Sequence, residues 1–232
     1  MTQTWDAAVE IDYDPSVIAE DHVRRTSWQV DPARAVLLVH DMQHYFLRRF
    51  RRDRQPAMSL MRNVETLVRD ARSRSMPIVY TAQNGGMTAA ERGLLAAFWG
   101  PGMVAEAADR EIPEAFAPRA GDRVLTKWRY SAFHRTDLLE LMRSAGRDQI
   151  VITGVYGHVG IQTTAVDAYS HDIETFVVAD AIADFSAAKH RQTLSYLADT
   201  CAVVLPAAEV HADLDRPTTA DLVGSVPKEL SR

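Results

Sequence analysis

Three short stretches hold residue types that do chemistry where a fold would present them. The first is His40-Asp41-Met42-Gln43, an acid placed directly after the apolar run Ala35–Val39. The second is Thr126-Lys127-Trp128-Arg129-Tyr130-Ser131, a lysine at the end of another β-type run. An ammonium there is costly unless paired or solvated, and Asp41 is a candidate partner. The third runs from Thr153 to Gly160 and carries Gly154, Gly157 and Gly160. Glycines at this spacing before a helix let a ligand approach the backbone and let helix N–H groups face an anion. Each stretch also has a plain structural reading: Asp41 as a cap or turn residue, Lys127 with its head reaching water, the glycines as turn chemistry.

The elements that must position them follow from hydrophobic patterning. Ala35–Val39 is continuously apolar, as in a strand covered on both faces. Pro77–Thr81, Arg123–Thr126, Gln149–Thr153, Thr175–Ala179 and Ala202–Leu205 read as five further strands. Between them, Leu60, Met61, Val64, Leu67, Val68 and Ala71 share one helix face. A second helix covers Leu138 to Ala145 and stops at Gly146. Two more cover about Val159 to His171 and Ser186 to Thr200. Alternating strands and helices predict an α/β fold: one domain, a mostly parallel six-stranded sheet, helices on both faces. Such sheets bind ligands beyond the carboxyl ends of their strands, so the site is expected after Val39, Thr81, Thr126, Thr153 and Ala179. Residues 1–33 read as a lead-in packing on the domain surface, 34–210 as the domain, and 211–232 as a polar tail, with low order expected from Pro206 onward.

Composition narrows the function classes. With 47% hydrophobic and 25% charged residues the chain is an ordinary globular protein, and a net charge of −5 favours neither nucleic acid nor an anionic membrane. No apolar run approaches membrane-spanning length, and Met1 to Glu10 lack a secretory pattern, so a cytoplasmic protein is expected. The single cysteine, Cys201, excludes an intrachain disulfide and a multi-cysteine metal site, and reads as core packing. His40, His44, His134 and His158 have no compact metal-ligand spacing, so neither metal nor cofactor is expected.

Taken together, LLVHDMQHYF, YTAQNGGMT, ERGLLAAFWGPGM, LTKWRYSAF, ITGVYGHVG and DAYSHDIETFVVADAIADFS resemble the isochorismatase-like hydrolases over about residues 33 to 210. That resemblance implies a parallel sheet flanked by helices with its active site at the strand ends. Most of that superfamily are cysteine hydrolases with an Asp–Lys–Cys triad. Asp41 and Lys127 match the first two members, and Gly160 stands where the cysteine would be, which disfavours the amidase branch. The segments FWGPGM and KWRYSAF resemble the phenazine-pathway isochorismatases, which act on 2-amino-2-deoxyisochorismate. The resemblance assigns Gln83, Arg92, Lys127, Tyr156 and the Gly160 backbone to substrate binding, with Trp99 and Tyr45 as pocket walls. It implies hydrolysis of an enolpyruvyl ether with Asp41 as general acid, a small-molecule substrate, and a homodimer. The segment after Pro206 is shorter than a small domain and holds no Asp-Ser-Leu attachment motif, so no carrier module is expected.

Overall fold

A computed structural model describes residues 11–15 and 24–216. The remainder of the lead-in and residues 217–232 of the tail lie outside the described residues. Six parallel strands form one sheet: β1 (Ala35–His40), β2 (Ile78–Ala82), β3 (Arg123–Thr126), β4 (Gln149–Val155), β5 (Glu174–Ala183) and β6 (Val203–Leu205). Their spatial order is β3-β2-β1-β4-β5-β6. The order reverses between β1 and β4, and such a switch point opens a crevice at the carboxyl ends.

β1 is buried along its whole length, which explains its unbroken apolar sequence. Ala35, Leu37 and Val39 join the core on one face, and Val36 and Leu38 join the core on the other. The first face is covered by α1 (Ala57–Ser73), whose Leu60, Val64, Leu67, Val68 and Ala71 form the apolar stripe expected from the sequence. The second is covered by α2 (Leu138–Ser144), α3 (Gln162–Ser170) and α4 (Ala187–Thr200). Gly146, at φ 64°, takes the left-handed backbone just past α2. Among the described residues no helix is long and apolar enough to cross a membrane.

The boundaries differ most from the sequence reading in β4, β5 and the segment after β6. β4 continues through Gly154 to Val155, because Gly154 at φ 110° stays in the ladder beside His40. A Cβ at Gly154 would collide with the His40 carbonyl, so only glycine fits. β5 runs on to Ala183 rather than stopping at Ala179. Its register shifts opposite Ile152 and Gly154, which admits the polar Asp180 and lets Ile182 and Ala183 pair with Gly154 and Val155. Finally, Ala207–Leu214 is a helix, α5, not part of a poorly ordered tail. Pro206 is its N-cap, and Val210 and Leu214, one turn apart, are buried against α1 and the sheet.

The lead-in is also more than a surface layer. Ile11 and Val30 are buried, and Ile11 bridges to Phe50. The Tyr13 hydroxyl bonds the His190 ring at 2.9 Å and accepts from the Asp184 backbone N–H at 2.8 Å.

Candidate active site

Asp41 leaves β1 in the left-handed region, at φ 53°. An aspartate tolerates that conformation better than a branched residue would, and here two neighbours hold it. The Thr81 hydroxyl donates to Oδ1 at 2.5 Å and accepts from the Asp41 backbone N–H at 3.0 Å. Lys127 Nζ donates to Oδ2 at 3.1 Å. Lys127 reaches this point because its own N–H extends the β2–β3 ladder by bonding the Ala82 carbonyl at 2.8 Å. Only 3% of Lys127 and 7% of Asp41 are exposed, so this is a buried ion pair.

Burial pushes the Asp41 carboxyl up, but Lys127, then His40 and the Thr81 hydroxyl, outweigh it and hold the acid below its ordinary range. Lys127 is moved down: loss of water outweighs the attraction of Asp41. His40, fully buried 3.7 Å from Asp41, falls to about 4, first through burial and then through the Lys127 charge. Its Nδ1–H donates to the Val155 carbonyl at 2.9 Å, leaving a neutral imidazole beneath the site.

On the other side of the switch point, Tyr156 to Ile161 form one wide turn ahead of α3. The Gly160 N–H bonds the Tyr156 carbonyl at 3.1 Å. A Cβ on Gly160 would collide with the His40 ring. The Tyr156 hydroxyl donates to the Phe46 carbonyl at 2.5 Å, and its ring stacks on Phe185 with centroids 4.2 Å apart. Burial raises the Tyr156 pKa strongly, so the phenol stays neutral.

The third wall comes from the loop after β2. Gln43 clamps it, giving Nε2–H bonds to the carbonyls of Gln83 and Arg110 and accepting the Gln83 N–H at 2.7 Å. Thr88 and Glu91 form a capping box that starts the short helix Ala89–Arg92. Arg92 ends it and curls inward, its Nε–H bonding the Gly100 carbonyl at 3.0 Å and its Nη1 lying 3.5 Å from Gln83 Oε1. Gly102 has no side chain to obstruct this guanidinium. Burial lowers the Arg92 pKa, which marks a desolvated cation. Trp99 closes the wall, its indole N–H donating to the Tyr130 hydroxyl at 2.7 Å.

These walls line a cleft with about 750 Å³ of empty space, the open solvent at its mouth included. All eight residues singled out in the sequence line it: Asp41, Tyr45, Gln83, Arg92, Trp99, Lys127, Tyr156 and Gly160. The sequence reading missed Phe46, Arg49, Leu95, Arg129, Tyr130, Val159 and Phe185, which line it too. Arg129 and Tyr130 stand two and three residues past Lys127, a signal that was available. Phe185 was hidden by the misplaced end of β5. Of the histidines weighed as metal ligands, His40 lies beneath the cleft floor, His44 lies outside the cleft lining, and His158 pairs with Asp184 at 2.6 Å, also outside it. His134 is exposed. Among the described residues no group of three or more His, Cys, Asp or Glu is arranged to hold a metal ion.

A six-stranded parallel sheet with an Asp–Lys pair at its switch point and a glycine opposite defines the class. An isochorismatase domain matches residues 35–209, and the chain belongs to that family. It is an ether hydrolase of the isochorismatase type. The phenazine biosynthesis protein PhzD1 of Pseudomonas aeruginosa is 55% identical over 183 residues, covering 79% of this chain and 87% of that one. The isochorismatase of Bacillus subtilis is 48% identical over 178 residues, covering 77% of this chain and 57% of that one. A cysteine hydrolase from Pseudomonas syringae superposes with a TM-score of 0.75 at 24% identity, covering 85% of this chain and 98% of that one, a likeness of fold.

Proposed function

We propose that the cleft hydrolyses the enolpyruvyl ether of 2-amino-2-deoxyisochorismate, of isochorismate, or of both. The products are pyruvate and the corresponding dihydro-hydroxyanthranilate or dihydro-dihydroxybenzoate. The observation that carries this reading is that, among the described residues lining the cleft, Asp41 is the one carboxylate and the other charged residues, Arg49, Arg92, Lys127 and Arg129, are all cationic. Substrates with two carboxylates suit such a cleft, and guanidinium groups hold carboxylates in fixed orientation.

An enol ether hydrolyses by protonation of its methylene carbon, which gives an oxocarbenium ion. Water adds, and the hemiketal collapses to pyruvate and an alcohol. The slow step is proton transfer to carbon, so a positioned acid is required. Asp41 is the acid. In the free cleft Lys127 keeps it ionised. A bound dianion competes for Lys127 and excludes water, both of which favour the protonated acid. The substrate's own carboxylates stabilise the oxocarbenium charge. Gly160 offers no nucleophile, so no covalent intermediate forms.

The isochorismate reading is favoured by the likeness to the Bacillus subtilis isochorismatase. A non-catalytic binding homologue is disfavoured because Asp41 and Lys127 remain paired. We further propose that the chain acts as one catalytic domain in a cytoplasmic homodimer; light scattering at assay concentration tests the dimer. The activity is tested by measuring pyruvate release from isochorismate and its 2-amino analogue side by side. Release from neither sinks the reading.

A further inference from the structure

Thr81 is fully buried in β2, directly across the ladder from His40. Its hydroxyl has one proton to give and lone pairs to receive. Both are committed to the same residue: the proton to Asp41 Oδ1, and a lone pair to the Asp41 N–H. This small ring ties the carboxyl to the left-handed backbone of Asp41, a conformation that costs an L-residue free energy unless its surroundings hold it. It also makes the two carboxyl oxygens unequal. Oδ1 receives the Thr81 proton and Oδ2 that of Lys127, so once a bound dianion draws Lys127 away the acid proton of Asp41 goes to Oδ2.

We propose that Thr81 is a positioning residue that directs the acid proton of Asp41 to Oδ2 and aims that oxygen into the cleft. The inference rests on Asp41 being the acid. The charged and titratable groups around this carboxyl are Lys127 from the end of β3, His40 from β1, the cleft cations Arg49, Arg92 and Arg129, and the cleft phenols Tyr45, Tyr130 and Tyr156. Thr81 itself does not titrate, and its hydrogen bond favours the ionised acid. Removing its hydroxyl therefore raises the Asp41 pKa while leaving the acid poorly aimed.

The test compares Thr81→Val, Thr81→Ala and Thr81→Ser with wild type, using isochorismate as probe. Circular dichroism identifies the variants that fold, and two hydroxyl-free variants guard against the loss of one. The expected result for Val or Ala is a kcat lower by roughly tenfold or more, the scale of a misaimed group, with KM within about threefold. The alkaline limb of the kcat–pH profile, where a general acid is lost, moves up by about one unit. Thr81→Ser regains most of kcat and the wild-type limb. Wild-type kcat and pH profile in Val or Ala overturns the inference, as does a Ser variant no better than Ala. Asp41→Asn is run in parallel. If it keeps the wild-type rate, the reading of Asp41 falls too. If it loses the rate while Thr81→Val behaves as wild type, only the role of Thr81 falls.

Discussion

The His40 imidazole fills the space into which any side chain at position 160 would have to grow. Gly160 therefore does more than lack a nucleophile: its missing Cβ is the room that His40 occupies. Gly160→Ala is expected to cost roughly 1–3 kcal/mol of stability through overpacking. In a His40→Ala background the same change should cost clearly less, a coupling read from a double-mutant cycle in urea. Additive costs would show that His40 is not what confines position 160.

His40 also sets a pH dependence. Its folded-state pKa is about 4 against an ordinary 6.5, so between these values the unfolded chain binds the extra proton. Stability from this group is complete above about pH 6.5 and is lost as pH falls toward about 4, on the order of 3 kcal/mol in all. Urea unfolding across that window should show this slope in wild type and a shallower one in His40→Gln. Equal slopes would assign the acid sensitivity elsewhere.

Discrimination between an amino and a hydroxyl substituent should be weak. Strong selection for an ammonium needs a buried acidic partner, and among the described residues lining the cleft Asp41 is the sole carboxylate. The two kcat/KM values are expected to lie within about two orders of magnitude, or ~3 kcal/mol. A preference above about 10⁴-fold for either would require a specific contact absent from this cleft.

Cys201 should be a bystander. It caps α4 with 7% exposure, packs in the core outside the cleft, and burial raises its thiol pKa, which suppresses thiolate chemistry. Treatment with iodoacetamide or EDTA is expected to leave pyruvate release unchanged. Loss on chelation with recovery on adding zinc would contradict the metal-free mechanism.

Much of this was legible in the sequence because a polar residue directly after an apolar strand is conspicuous. Asp41 and Lys127 stood out for that reason, and the sheet followed from the alternation of apolar runs. Thr81 did not stand out, since threonine is an ordinary strand residue and its role lies in a contact across the ladder. Phe185 and Asp184 were missed because Asp180 broke the apolar run, while the fold admits it through a register shift in β5. There Asp180 accepts the Ala207 N–H at 2.7 Å. Helix α5 was lost among Glu209, His211 and Asp213, although Val210 and Leu214 carry the one-turn spacing that buries it. Glycine spacing marked Gly160 only as a close backbone approach, and its place opposite Asp41 and Lys127 came through resemblance, because nothing in the sequence shows that an imidazole fills its missing side chain.

The most direct test of the account is pyruvate release by Asp41→Asn beside wild type, with substrate binding followed separately by calorimetry. Asparagine keeps the shape and can still accept from Lys127, but it has no acid proton to give. The account predicts that substrate binds while turnover falls by roughly 10²-fold or more, the scale of a lost general acid. Release at the wild-type rate would contradict it.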